Sequence, residues 1–189
     1  MIKAVIFDCF GVLYIEPQPG SLQLLTQSDD PELRDLAGQG EYGLIDRETL
    51  HRGFAKLLKQ TFEQVEHRLD GRYIRNEPLL AYAQQLRGSY KIAVLSNIGP
   101  DTMKSFFPDD ERQQLFDEAI ISSEVGMVKP HPEIFEYTCQ RLGVDTSEAV
   151  IVDNTEANCS GAREVGLQAI HFQSTEQAID ELGQLLKVQ

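Results

Sequence analysis

The sequence predicts an α/β protein: a three-layer sandwich around a central parallel, Rossmann-like sheet, with a helical cap inserted after the first strand. Three observations predict it. Short apolar runs rich in β-branched residues recur at 3–7, 91–95, 119–121, 149–152 and 168–172. Such runs suit strands buried on both faces of a parallel sheet. From about residue 90 onward, helical patterns alternate with these runs, which is the sequence form of a parallel sheet with crossover helices. The stretch 16–88 instead carries helical patterns and no convincing buried strand.

The elements follow in order. After the first strand, Pro17-Gln-Pro19-Gly20 is turn chemistry. Helical segments are expected at 21–25, 31–37, 47–60, 62–69 and 77–86, the last with Asn76 as N-cap and Pro78 in its first turn. Beyond the second strand, 132–142 has apolar positions at Ile134, Phe135, Cys139 and Leu142 and stops at Gly143. A helix at 157–165 stops at Gly166, and one at 176–186 has Ser174 as its N-cap. The expected division is therefore a core of 1–15 and 89–189 and a helical cap of 16–88. Ligands in open α/β sheets bind beyond the carboxyl ends of the strands, so an insertion leaving from that edge would sit over the crevice as a lid.

Length and composition narrow the function. A chain of 189 residues is one compact domain with a modest insertion, long enough to bury a core without disulfides. Lys and Arg total 17 against 30 Asp and Glu, a formal charge of −13. That balance speaks against nucleic acid or an anionic membrane as partner, since both need positive surface. The 3 cysteines, Cys9, Cys139 and Cys159, form no CxxC and match no zinc spacing. They read as free thiols in a reducing compartment. The N-terminal apolar run stops at Asp8, short of a signal-peptide core, and no apolar stretch approaches a membrane span. The expectation is a soluble, cytoplasmic, acidic protein, with monomer and homodimer equally open.

Four places put a polar group just after an apolar strand. Asp8 follows Ala-Val-Ile-Phe, and Ser96 and Asn97 follow Ile-Ala-Val-Leu. Lys129 follows the 119–121 strand and a short loop, and Asp153 and Asn154 follow Val-Ile-Val. A parallel sheet would bring all four to one edge. A carboxylate, a hydroxyl, an ammonium and a second carboxylate together suit an anion plus a divalent cation.

The segments Val5-Ile-Phe-Asp8-Cys-Phe10-Gly-Val12-Leu, Leu95-Ser96-Asn97, Gly126-Met-Val-Lys129-Pro130-His-Pro132-Glu-Ile-Phe135 and Val152-Asp153-Asn154-Thr-Glu-Ala-Asn158-Cys-Ser-Gly-Ala162-Arg resemble, in order and spacing, the four motifs of the haloacid dehalogenase-like hydrolase superfamily. The resemblance covers nearly the whole chain, and the helical insertion looks like that family's cap. It implies that Asp8 is a nucleophile forming an aspartyl intermediate. It implies that Ser96 and Asn97 hold the oxygens of the transferring group, and that Lys129 neutralises nucleophile and phosphate. It further implies a Mg²⁺ site made by Asp8, the backbone carbonyl of Phe10, Asp153 and Asn154. Gly99-Pro100 reads as a helix start whose N–H groups could help bind an anion.

Two positions depart from the family pattern. Its phosphatases carry Asp two residues after the nucleophile, which protonates the leaving group and then activates water. Here that residue is Phe10, and losing a general acid–base typically costs about 10²–10⁴-fold. The aspartate pair of the fourth motif is Asp153-Asn154, one charge fewer. The dehalogenase branch also has an aromatic residue at the first of these positions, because halide leaves without a proton. However, the Asp that branch uses for its water step is Asn158 here, and its serine-rich run is Asp153-Asn154-Thr155.

Three functions follow, in this order: a Mg²⁺-dependent phosphatase of a small phosphorylated metabolite, a metal-free 2-haloacid dehalogenase, and a non-catalytic protein that binds a phosphorylated ligand or a protein partner. His51, His67, His131 and His171 show no metal spacing. Cys9 is expected to face the core. Arg47, Arg52, Arg72 and Arg75 of the cap could select an anionic substrate, although charged helical faces usually just meet solvent.

Overall fold

A computed structural model of the chain describes residues 1–15, 28–70 and 73–187. The turn at 17–20, the helix expected at 21–25 and Arg72 lie outside them. The elements are β1 (Ala4–Phe7), β2 (Tyr14–Ile15), α1 (Pro31–Glu41), α2 (Arg47–Leu58), α3 (Phe62–Asp70), β3 (Ile74–Arg75) and α4 (Glu77–Leu86). There follow β4 (Lys91–Ser96), α5 (Thr102–Phe106), α6 (Asp109–Leu115), β5 (Glu118–Ile121), α7 (Ser122–Val125) and α8 (Pro132–Leu142). The chain closes with β6 (Ala149–Asp153), α9 (Glu156–Glu164), β7 (Gln168–His171) and α10 (Thr175–Lys187).

The main sheet is parallel throughout, in the order β5-β4-β1-β6-β7. β1 is central because it is apolar on both faces. Val5 and Phe7 point into one cluster with Ile92, Val94, Val150 and Val152, covered by Leu79, Leu80 and Ala83 of α4 and by Ala178 and Leu182 of α10. Ala4 and Ile6 point the other way, with Ala93, Leu95 and Ile151, under Ile134 and Phe135 of α8 and Ala162 of α9. The two-residue alternation of side chains thus turns each continuous apolar run into two half-cores.

Helices α1, α2 and α3 bury a cluster of their own: Leu33, Ala37, Leu50, Phe54, Val65 and Leu69. Asp30 and Asp46 cap the first two by accepting the N–H groups of Glu32 and Thr49 at 2.9 and 2.8 Å. Two details differ from the sequence reading. A short antiparallel ribbon, β2 with β3, ties the start of the insertion to its end. Its two-residue strands are too short to leave a periodic signal. Helix α4, inside the 16–88 stretch, packs on the sheet, because Leu79, Leu80 and Ala83 share the cluster beneath β1. Asn76 fixes its start by donating to Val12 O at 2.9 Å.

Among the described residues no helix is long and apolar enough to cross a membrane. Cys9, Cys139 and Cys159 are free and buried. Burial raises all three thiols, Cys139 and Cys159 to about 11, with Asp8 adding to the shift at Cys9. A disulfide-exchange reagent at pH 8 should therefore titrate no thiol within minutes in the native protein and all three after unfolding.

Candidate active site

The site lies where the strand order reverses, beyond the carboxyl ends of β1, β4 and β6. Asp8 continues β1 by donating its N–H to Val152 O at 2.9 Å. Ser96 ends β4 and Asp153 ends β6, each wholly buried.

Lys129 joins them. Its Nζ lies 2.8 Å from Asp8 Oδ1, 2.7 Å from Asp153 Oδ2 and 3.0 Å from Leu95 O. An ammonium has three N–H bonds, and here three acceptors meet them. Side-chain exposure is 1% for Lys129, 9% for Asp8 and 0% for Asp153, so the charges compensate one another rather than water. Burial pulls the Lys129 ammonium down, but Asp153 and then Asp8 overcome it and hold its pKa well above the usual lysine value. Asp8 moves up: burial and the Asp153 charge raise its carboxyl more than Lys129 and the Cys9 N–H lower it.

Neighbours hold this triad in place. Asn97 donates from Nδ2 to Lys129 O at 2.8 Å and accepts Lys129 N–H on Oδ1 at 2.9 Å. Its amide, expected to hold substrate oxygens, clamps the Lys129 backbone. Asp153 Oδ1 accepts Thr155 N–H at 2.8 Å and Asn158 Nδ2 at 3.0 Å. Its Oδ2 accepts Asn158 Nδ2 at 3.1 Å besides Lys129. Each oxygen of Asp153 thus has two donors, and one of them on Oδ2 is Lys129. Ser96 Oγ is buried and has no hydrogen-bond partner among the described residues, which leaves a hydroxyl beside Asp8 for a ligand.

Phe10 turns into an aromatic group, 4.6 Å from Tyr73 and 4.7 Å from Phe106 between ring centroids. Asn154 lies against Gly11: a Cβ there would stand 2.1 Å from Asn154 Nδ2 and 3.1 Å from Oδ1. Among the described residues no three His, Cys, Asp or Glu side chains gather as metal ligands. The oxygens that remain for a hard cation are the second oxygen of Asp8, the Phe10 carbonyl and the Asn154 amide oxygen. One carboxylate with two neutral oxygens fits Mg²⁺, which keeps several waters and takes substrate oxygens to complete its shell.

Residues 2–166 match the haloacid dehalogenase-like hydrolase family. The chain belongs to that family. It is 24% identical to drimenol cyclase of Aspergillus calidoustus over 96% of its length, yet spans only 36% of that enzyme. It is 27% identical to the (S)-2-haloacid dehalogenase of Xanthobacter autotrophicus, covering 88% of this chain and 73% of that one. With the glyceraldehyde 3-phosphate phosphatase of Pyrococcus abyssi it shares 24% identity, over 91% and 82% of the two chains. Two solved structures share its fold. One is a HAD-like hydrolase from Porphyromonas gingivalis (TM-score 0.81, 23% identity, all of both chains). The other is a HAD enzyme from Bacteroides thetaiotaomicron complexed with magnesium and inorganic phosphate (TM-score 0.75, 23% identity, 93% and 96% of the chains).

Within this HAD fold, the structure brings Asp8, Ser96, Asn97, Lys129, Asp153 and Asn154 to one sheet edge. Of the arginines expected to select an anion, the described three, Arg47, Arg52 and Arg75, lie beside glutamates. Arg52 pairs with Glu48 at 2.6 Å, Arg75 with Glu111 and with Glu77 at 2.5 and 3.2 Å, and Arg47 lies 3.8 Å from Glu66. The helix expected at Gly99-Pro100 begins only at Thr102, after Asp101 in a left-handed conformation, and is a short turn. His131 is exposed, and His171 bonds Asn154 O through Nε2 at 3.1 Å. Asn158 is the residue the sequence undervalues. Its offset of five from Asp153 on a helix start was the available signal.

Breaking the triad has a calculable cost. Lys129→Met should destabilise the protein by about 3–5 kcal/mol, because it leaves two buried carboxylates facing each other. A urea melt at pH 7 reads this, and the loss should shrink at pH 4, where the carboxyls take up protons.

Proposed function

We propose that the protein is a hydrolase of small phosphorylated metabolites, working through an aspartyl-phosphate on Asp8 with Mg²⁺ as cofactor. The observation that carries this reading is the Lys129 clamp. One oxygen of Asp8 is held by Lys129 and by the Cys9 N–H at 2.7 Å, so the other oxygen is oriented outward for attack. The triad sums to one negative charge, and a phosphate dianion cannot approach it without a cation. The donor set left over suits such a cation: Asp8, the Phe10 carbonyl and Asn154 would hold Mg²⁺, which when bound supplies positive charge to the phosphoryl oxygens. The phosphatase relative and the neighbour complexed with magnesium and phosphate support the same choice.

In the first step the free oxygen of Asp8 attacks phosphorus and the bond to the leaving oxygen breaks. Lys129 and the Ser96 hydroxyl stabilise charge on the phosphoryl group. In the second step water attacks the same phosphorus, releasing phosphate and restoring the Asp8 carboxylate. Helices α1–α3 act as the cap that closes over this chemistry, and three buried free thiols suit the cytoplasm. Metal-free dehalogenation of a 2-halo acid is a second reading. It is favoured by the apolar wall of Phe10, Tyr73 and Phe106, since halide departs without a proton, and by the dehalogenase relative.

Turnover of p-nitrophenyl phosphate separates the two. The expected result is Mg²⁺-dependent turnover, abolished by EDTA and reduced to background in Asp8→Asn. Chloride release from 2-chloropropionate in EDTA, with p-nitrophenyl phosphate untouched, would establish the second reading instead. Asn154→Asp adds a carboxylate to the donor set and should tighten Mg²⁺ about tenfold, on the order of 1.4 kcal/mol, in a calorimetric titration.

A further inference from the structure

We propose that the rings of Phe10, Tyr73 and Phe106 form a subsite that receives the leaving group, and that they select phosphate monoesters of phenols. The inference deepens the phosphatase reading and rests on it.

Covalent reach ties the rings to the nucleophile. Phe10 is two residues from Asp8, so their Cα atoms are at most about 7 Å apart. The turn that carries Phe10 is fixed by two backbone bonds: Tyr14 N–H donates to Cys9 O at 2.8 Å, and Gly11 N–H to Tyr14 O at 2.7 Å. On one side of Phe10, Cys9 is wholly buried in the core; on the other, Gly11 lies against Asn154 of the site. The other two rings are built onto Phe10. Tyr73 and Phe106 stand 4.6 and 4.7 Å from it between centroids and 5.5 Å from each other. Phe106 ends α5, the helix that follows β4, and Tyr14 holds it from the core. The Tyr14 hydroxyl donates to Phe106 O at 2.6 Å, and its ring meets that of Phe106 edge-on at 5.0 Å. Tyr73 comes from the insertion, immediately before β3. All three rings are half-buried, so each keeps apolar surface that a ligand can cover. The sheet edge thus offers two kinds of surface: Lys129 and the Ser96 hydroxyl for phosphoryl oxygens, and three rings beside Asp8 for what the phosphate esterifies. A fourth ring packs onto such a group tilted or edge-on, at centroid distances of about 4.5–7 Å.

Proton supply points to the same class. Phe10 has no proton to give. Asp8 is engaged with phosphorus, and each oxygen of Asp153 already accepts two donors. The leaving group that suits these residues departs as an anion. As Asp8 bonds to phosphorus, the P–O bond to the aryl group breaks, the electron pair stays on the phenolate oxygen, and solvent water protonates it after release. An alkoxide leaves far less readily without an acid.

Kinetics with Mg²⁺ on phenyl phosphate and glycerol phosphate, and calorimetric binding of benzylphosphonate and methylphosphonate, test this on the full chain. The proteins compared are wild type, Tyr73→Leu and Phe106→Leu. In wild type, kcat/KM should favour phenyl phosphate by about 10²–10⁴-fold, the effect of a missing acid. Benzylphosphonate should bind about tenfold tighter than methylphosphonate, and since neither has a leaving oxygen, this ratio reads the rings alone. Each variant should lower the binding ratio by about 2–10-fold, the contribution of one aromatic pair. Leucine keeps the apolar bulk, and if one variant does not fold the other carries the test. Equal or absent binding of the two phosphonates, or a ratio unchanged in the variants, overturns the subsite. Equal kcat/KM on the two esters overturns the substrate class. Turnover of neither ester overturns the hydrolase reading, and the phosphonate ratio still decides the subsite.

Discussion

One ammonium group, buried between two carboxylates, sets the geometry of the site. Taking three ions out of water costs several kcal/mol each, and only close geometry with every donor and acceptor matched offsets it. The chain meets that demand with groups from separate elements. Asp8 comes from the end of β1, Asp153 from the end of β6 and the Leu95 carbonyl from β4. Asn97 locks the Lys129 backbone from the other side. The parallel register that aligns Phe7 with Val94 and Val152 therefore determines whether the lysine finds all its acceptors. The fold and the position of Asp8 are coupled through one side chain.

The same arrangement creates an electrostatic problem for any anionic substrate. The triad carries one net negative charge, within a protein of formal charge −13. A buried pair of opposite charges is screened little by salt, so the residual charge acts at close range. A divalent cation reverses its sign. With Asn154 in place of a carboxylate, a cation held there would be drawn mainly by Asp8.

Much of this was legible in the sequence because it rests on local signals. Continuous β-branched runs marked each main strand within a residue or two, and Gly143 and Gly166 marked helix ends that the structure places in left-handed conformations. The convergence of Asp8, Ser96, Lys129 and Asp153 followed from strand ends in a parallel sheet. Long-range roles were harder to read. The family resemblance implied ligand roles for Asn97 and Asp153, and only the structure shows that both also hydrogen-bond Lys129. Helix α4 looked like part of the insertion, since amphipathicity shows that a face is buried but not against what. The seating of the end of α1 left only an indirect trace, the glycines at 40 and 43. Their meaning, close backbone approach, becomes visible only with Gly99 and Ser123 in place.

The two departures from the family pattern make physical sense together. An aspartate at position 10 would face Tyr73 and Phe106, an apolar setting in which a carboxyl stays neutral and unpaired. With aspartates at both 10 and 154, the edge would hold four carboxylates against one lysine, and mutual repulsion would demand a tightly bound metal. Phe10 and Asn154 remove that demand. They leave a site in which Lys129 faces two carboxylates rather than four. The end of α1 and the turn after it pack against Gly99 and Ser123, so the helical insertion is seated on the same sheet edge as the triad.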